Sequence, residues 1–142
     1  MDYRMAQEQR ETFLADVHVA ILSLNQPDRG PLSVPVWYWY KPGGQLWFET
    51  EPGSRKGRLL DIGTRVSLCV QDETPPYAYV SVEGPITKIA EDDLEQHQIP
   101  MAIRYLGETG GREFIDSLPP TEWKRYILSP DRWLSYDGSK AQ

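Results

Sequence analysis

Apolar and polar residues alternate along most of this chain, and only a few stretches change to a helical period. DVHVAILSL (16–24) is rich in β-branched and aliphatic residues and predicts a strand. LSVPVWYWY (32–40) and QLWFET (45–50) predict two more. The turn formers of NQPDRGP and KPGG separate them, so these three predict a meander with short connections. Pro35 removes a backbone donor from the second strand and marks it as an edge or a bulge. TRVSLCVQD (64–72) and AYVSVEGPITKIA (78–90) predict a fourth and a long fifth strand, with Val80 and Val82 on one face. Gly84-Pro85 predicts a bend there, as at a barrel corner. EWKRYILSPDRWLSYD (122–137) predicts two last strands around Ser129-Pro130.

Helical signals are fewer. Residues 5–15 favour helix, with Met5, Phe13 and Leu14 as its apolar members. A short helix is expected over 54–63, with Ser54 as N-cap and Gly63 as its stop. Another covers 91–107, with Asp92 or Asp93 near its start, Pro100 dividing it and Gly107 at its end. GGREFIDSL is read as one more short helix, and the tail 138–142 as frayed and disordered. With no repeat and no linker, residues 1–142 are expected to form a single domain. It is mainly β within the α+β class: an antiparallel six- to seven-stranded split β-barrel with a few short flanking helices.

Size and charge narrow the partners. A domain of 142 residues buries roughly 68–70% of its unfolded surface, so it needs no disulfide staples. The single cysteine, Cys69, lies in the apolar run VSLCV and reads as a small buried hydrophobe. With 21 acidic against 15 basic residues the net charge is -6, which argues against nucleic acid or an anionic membrane as the main partner. The charged N-terminus has no apolar signal core, and no stretch approaches the ~18 apolar residues of a span. A cytoplasmic protein is expected.

Against that acidic background, GSRKGR stands out. Arg55, Lys56 and Arg58 follow Ser54 where a strand gives way to a helix. A helix start offers free N–H groups, and hydroxyls and cations beside them make a phosphate site. Ser54 and Thr50 supply the hydroxyls, Lys56 a point charge, and Arg55 and Arg58 planar forks. The plain alternative is a solvated helix face. The aromatics of PVWYWY (35–40) put rings on both faces of a strand, either in the core or against a flat ligand. One cysteine and two separated histidines, His18 and His97, make no metal constellation, and His18 reads as a satisfied strand histidine. No nucleophile elbow, Walker A or dinucleotide fingerprint occurs. The acidic run EDDLE (91–95) reads as a helix start.

A meander ending in LWFETEPGSRKGRLL, followed by RVSLCVQDE and PYAYVSVEGPITKI, resembles the pyridoxamine 5'-phosphate oxidase-like FMN-binding split-barrel superfamily. The resemblance is nearest to its flavin/deazaflavin (F420)-dependent oxidoreductases, and runs from about Phe13 to Tyr136. Its most specific part is T-x-x-x-S-R-K-x-R-x-L, with YVSVEG and SPDRWLSYD as further matches. The resemblance implies that Val34, Pro35, Val36 and Trp37 run beside the cofactor ring. It implies that Thr50, Ser54, Arg55, Lys56 and Arg58 hold the cofactor phosphate. Arg132, Trp133 and Gln71 would reach the site from the partner subunit of a homodimer. The implied cofactor is FMN or coenzyme F420, with the deazaflavin favoured. The implied activity is hydride or electron transfer to a small conjugated organic substrate, with Tyr38, Tyr77 or Tyr79 as candidate proton donors. A non-catalytic FMN-binding stress or storage protein, or a haem-binding one with His18 or another ligand facing the pocket, is the alternative. The extra substrate-phosphate residues and longer arginine-containing C-terminus of true pyridoxamine phosphate oxidases have no match here, so vitamin B6 oxidation is not implied.

Overall fold

The computed structural model describes residues 1–141. Helix α1 (Gln7–Ala15) leads into β1 (Ala20–Gln26) and β2 (Arg29–Val36), joined by a tight turn with Asp28 at φ 59°. Then come β3 (Trp39–Tyr40), β4 (Leu46–Thr50), α2 (Arg55–Leu59), β5 (Arg65–Asp72) and β6 (Ala78–Glu91). A π-helical turn (Leu94–Gln98), α3 (Ile99–Ser117), β7 (Lys124–Leu128) and β8 (Arg132–Asp137) complete the order. No described helix is long and apolar enough to cross a membrane.

All strand pairs are antiparallel, in the order β2-β1-β5-β6-β7-β4-β3, with β8 also on β6. The sheet is curled and not closed, as a split barrel is. β6 carries this shape because it changes partner half-way: Ala78–Glu83 pair with β8, and Ile86–Glu91 with β7. The changeover falls at Gly84-Pro85, where the bend was expected. A Cβ on Gly84 would run into the carbonyl oxygen of Ser129, so no larger residue fits that crossing. The alternating strand positions converge inside, where Leu22, Leu46, Leu68, Val80 and Leu128 are fully buried and Phe48 stacks on Tyr126 at 5.7 Å. Each such side chain contributes about 1.5–3 kcal/mol on leaving water.

Three differences from the sequence expectation have local causes. The strand expected over 32–40 is two, giving eight strands instead of six to seven. The chain leaves the sheet at Trp37-Tyr38 because Tyr38 turns fully inward, where its hydroxyl donates to the Leu14 carbonyl at 2.6 Å. The Tyr38 N–H then donates to the Tyr105 hydroxyl at 3.1 Å instead of to a strand. Second, α2 is a single turn that ends at Leu59, before Gly63, whose N–H is taken by the Ile86 carbonyl across the corner. Third, Gly138–Ala141 form a 3-10 turn instead of a frayed end, held by the Gly138 N–H on the Tyr77 carbonyl at 2.8 Å. Gln142 lies outside the described residues. In the C-terminal half, Pro100 stands in the first turn of α3, at the change from the π-helical turn, so the stretch is divided where Pro100 was expected to divide it. The helix breaks at Gly107 (φ 82°), close to the end expected for it.

Candidate functional site

β2 is an edge strand, as Pro35 foretold, so one side of its backbone has no strand beside it. Between this edge and α3 lies a cleft of about 240 Å³. Pro35, Val36 and Trp37 form one wall, Met101 and Phe114 of α3 the other, with Trp123 and Val19 at its margins. Trp37 is fixed on both sides, stacked on Tyr105 at 4.8 Å and tilted against Phe114 at 5.3 Å. The lining is therefore apolar and flat, with two charged side chains in it: Lys56 and Glu49.

Lys56 comes from α2. The turn that presents it is held tightly: Gly57 N–H donates to Ser54 Oγ at 3.1 Å, and Ser54 Oγ donates to the Glu51 carbonyl at 2.7 Å. Gly57 itself is buried, with the Pro52 carbonyl 2.8 Å from where a Cβ would lie. Thr50, only 2% exposed, places its hydroxyl 3.2 Å from Ser54 Oγ. Thr50 and Ser54 are thus brought together at the start of the turn that carries Lys56 into the cleft. Among the described residues the lysine and arginine ion pairs lie on Arg4, Arg65, Arg112, Lys124 and Arg132. Neither Lys56 nor Arg58 has one among the described residues. Arg55 is turned away, its Nε donating to Gln26 Oε1 in the β1–β2 turn at 3.1 Å, and Arg58 is exposed. A one-turn helix supplies little dipole, so the cation and hydroxyls of this corner outweigh the helix start that the sequence emphasised.

The other expected residues are dispersed. Val34 packs against the core beside the cleft. Gln71 and Arg132 are exposed and away from it. Trp133 is engaged within its own chain, edge-on to Tyr40 at 6.0 Å and under the Arg10 guanidinium at 4.8 Å. None of the three tyrosines considered as proton donors lines the cleft: Tyr38 is held by Leu14, Tyr77 is exposed, and Tyr79 stacks on Tyr136 at 5.8 Å. His18 donates from Nε2 to the Phe13 carbonyl at 3.0 Å, in the connection before β1 instead of in a strand.

Glu49 was not anticipated. It lines the cleft, and burial and the nearby Asp92 carboxyl push its pKa up to about 9, with the Arg125 guanidinium opposing them. The acidic run that read as a helix start divides. Asp93 is the cap, accepting the Gln96 N–H at 2.7 Å, while the Asp92 side chain turns inward and is 0% exposed. The one sequence signal for Glu49 was a carboxylate set between Phe48 and Thr50 in a strand. Met101, Phe114 and Trp123 gave no signal, because only the return of α3 over β2 makes them neighbours.

A profile of the pyridoxamine 5'-phosphate oxidase family matches residues 6–125. No curated protein sequence matches the chain. Among solved structures, a conserved hypothetical protein, Rv2991, from Mycobacterium tuberculosis superimposes with a TM-score of 0.77 at 25% identity, over 99% of this chain and 89% of that one. An F420 reductase gives 0.71 at 21% identity, over 87% and 94%. An FAD and haem binding protein from Mycobacterium smegmatis gives 0.67 at 15% identity, over 96% and 73%. The strand order, the corner at Gly84 and the match over residues 6–125 agree, and the chain belongs to the pyridoxamine 5'-phosphate oxidase family of split barrels.

Proposed function

We propose that this protein is a cytoplasmic, homodimeric oxidoreductase that holds FMN or the deazaflavin F420 in the cleft, the deazaflavin favoured, and acts on a small conjugated organic substrate. The observation that carries this reading is the cleft itself: a flat aromatic wall on a free strand edge, with an unpaired lysine at one end. A planar ring fits against Pro35, Val36 and Trp37, where edge backbone groups are available to its polar rim. A phosphate fits the corner of Thr50, Ser54 and Lys56, with Arg58 free to swing in. The bound cofactor supplies the hydride chemistry, while the chain orients it and shields it from water. An F420 reductase and an FAD and haem binding protein share the fold, which agrees with a flavin-type ligand. Neither histidine lines the cleft, which weighs against haem there.

What the single chain leaves uncovered supports the dimer reading. The cleft is smaller than the ~300–1,000 Å³ usual for sites of this kind, so part of the ligand lies outside it. Beside its mouth Val17, Val19 and Ile21 alternate on one exposed face, which a second copy would cover. Arg132 and Gln71 are exposed and do not line the cleft of their own chain, which agrees with their use by such a copy.

The test is equilibrium binding of FMN and of F420 to the purified, cofactor-free protein, followed by fluorescence, with Lys56→Glu in parallel. Tight binding of one cofactor, lost in the variant, supports the reading. Binding of neither, or equal binding by the variant, refutes it.

A further inference from the structure

The Glu49 carboxyl in the cleft and the Asp92 carboxyl buried near it are a problem that the cofactor reading leaves unsolved. Asp92 has no exposed side-chain surface, and as a carboxylate neither of its oxygens has a hydrogen-bond donor. Glu49 Oε2 is buried in the same condition. The groups around them do not neutralise the pair. His97 Nδ1 lies 3.5 Å from Asp92 Oδ1, but that nitrogen already accepts the Asp93 N–H at 3.0 Å and has no proton to offer. Arg125 faces Glu49 across the β4–β7 pairing, yet its Nε donates to the Glu91 carbonyl at 3.2 Å and its guanidinium lies over Trp47 at 5.3 Å. Lys56 shares the cleft without forming an ion pair there.

Two buried, facing carboxylates with no donor cost several kcal/mol, and one proton between them removes most of that cost by making one carboxyl the donor to the other. Only Glu49 of the two reaches the cleft. We propose, resting on the oxidoreductase reading above, that Glu49 is the acid–base residue of this cleft and that Asp92, buried beside it, is the positioning residue that hydrogen-bonds to it through one shared proton. The substrate class is a conjugated carbonyl compound, such as a quinone or an enone. On reduction its conjugated system would accept a hydride from the reduced flavin-type cofactor, as a new C–H bond at the β-carbon of an enone or a new O–H bond at one carbonyl oxygen of a quinone, with the electron pair passing to the remaining carbonyl oxygen. The Glu49 O–H bond breaks, and its proton joins that oxygen as a new O–H bond. The cofactor has then lost two electrons, the product has gained two electrons and two hydrogens, and the Glu49 carboxylate recovers its proton from water. A carboxyl neutral until that moment also lets an anionic cofactor enter a cleft that a fixed negative charge would disfavour.

The experiment follows the Glu49 carboxyl carbon by NMR in protein labelled with 13C-glutamate from pH 4 to 10, with Glu49→Gln for assignment. In the wild type the Glu49 signal stays that of the protonated acid beyond pH 7. In Asp92→Asn its midpoint falls by one unit or more, because the amide donates to the carboxylate. At saturating concentration of the cofactor that binds, Glu49→Gln lowers menadione reduction by about 100-fold or more. Glu49→Asp restores part of the rate, and Asp92→Asn moves the pH profile downward. A Glu49 that titrates in the ordinary carboxylate range, while cofactor binding is normal, overturns this inference alone. So does a Glu49→Gln enzyme as fast as the wild type. Failure of both cofactors to bind overturns the oxidoreductase reading and the acid–base role with it.

Discussion

The two ends of the cleft treat charge in opposite ways. At one end Lys56 stands half-buried on a well-braced turn, unpaired, with the Thr50 and Ser54 hydroxyls at the start of that turn. At the other, Glu49 and Asp92 are buried against each other with no donor between them. The first has no acidic partner among the described residues, which leaves it open to an anion. The second gives up a charge because burial and a like neighbour make ionising both carboxyls too costly. One short cleft thus sets a cation beside a neutral acid. A ligand with a phosphate at one end and a proton-coupled redox centre at the other needs that pair of properties.

Reversing the first end has the largest expected effect. A charge-assisted hydrogen bond is worth about 1.5–3 kcal/mol, so Lys56→Glu, which adds repulsion to that loss, weakens cofactor binding by at least about 100-fold in a fluorescence titration. The second end shows itself in stability. Because the pKa of Glu49 is raised in the folded protein, the folded state holds a proton that the unfolded chain has released. Its contribution to stability is therefore greatest below the ordinary value of 4.5, and stability falls as pH rises toward about 9. Thermal melts of Glu49→Gln lose that slope, and above pH 7 the variant melts higher than the wild type. A smaller effect separates bracing from charge. Ser54→Ala removes the acceptor of the Gly57 N–H, costing about 1 kcal/mol, or roughly 4 °C in Tm, while Glu49 titrates as before. The smallest change sharpens the assignment within the cationic run. Arg55 is bound to Gln26, so Arg55→Ala alters cofactor affinity by less than about twofold, and a loss comparable to that of Lys56→Glu would move the phosphate site.

The same contrast explains what could be read in the sequence. The strands were legible because their periodicity is local, and so was the Gly84-Pro85 corner, where the residue types themselves state the bend. Lys56 was legible because the cluster of Arg55, Lys56 and Arg58 stands out in an acidic chain. The eighth strand was hidden in PVWYWY, since the turn at Trp37-Tyr38 depends on Leu14 and Tyr105, both distant in sequence. Glu49 and Asp92 were hidden for the same reason. Each looks ordinary alone, one in a strand and one in a helix start, and only the approach of the π-helical turn to β4 makes them a pair. Trp133 shows the reverse: its motif was visible, but its ring packs on Tyr40 and Arg10 of its own chain.

The most direct test of the central claim is a crystal structure of the protein with FMN or F420 bound. The account predicts the ring against Pro35, Val36 and Trp37, and a phosphate oxygen within hydrogen-bond distance of Lys56 Nζ. A cofactor bound elsewhere on the chain, with the cleft between β2 and α3 empty, would contradict it.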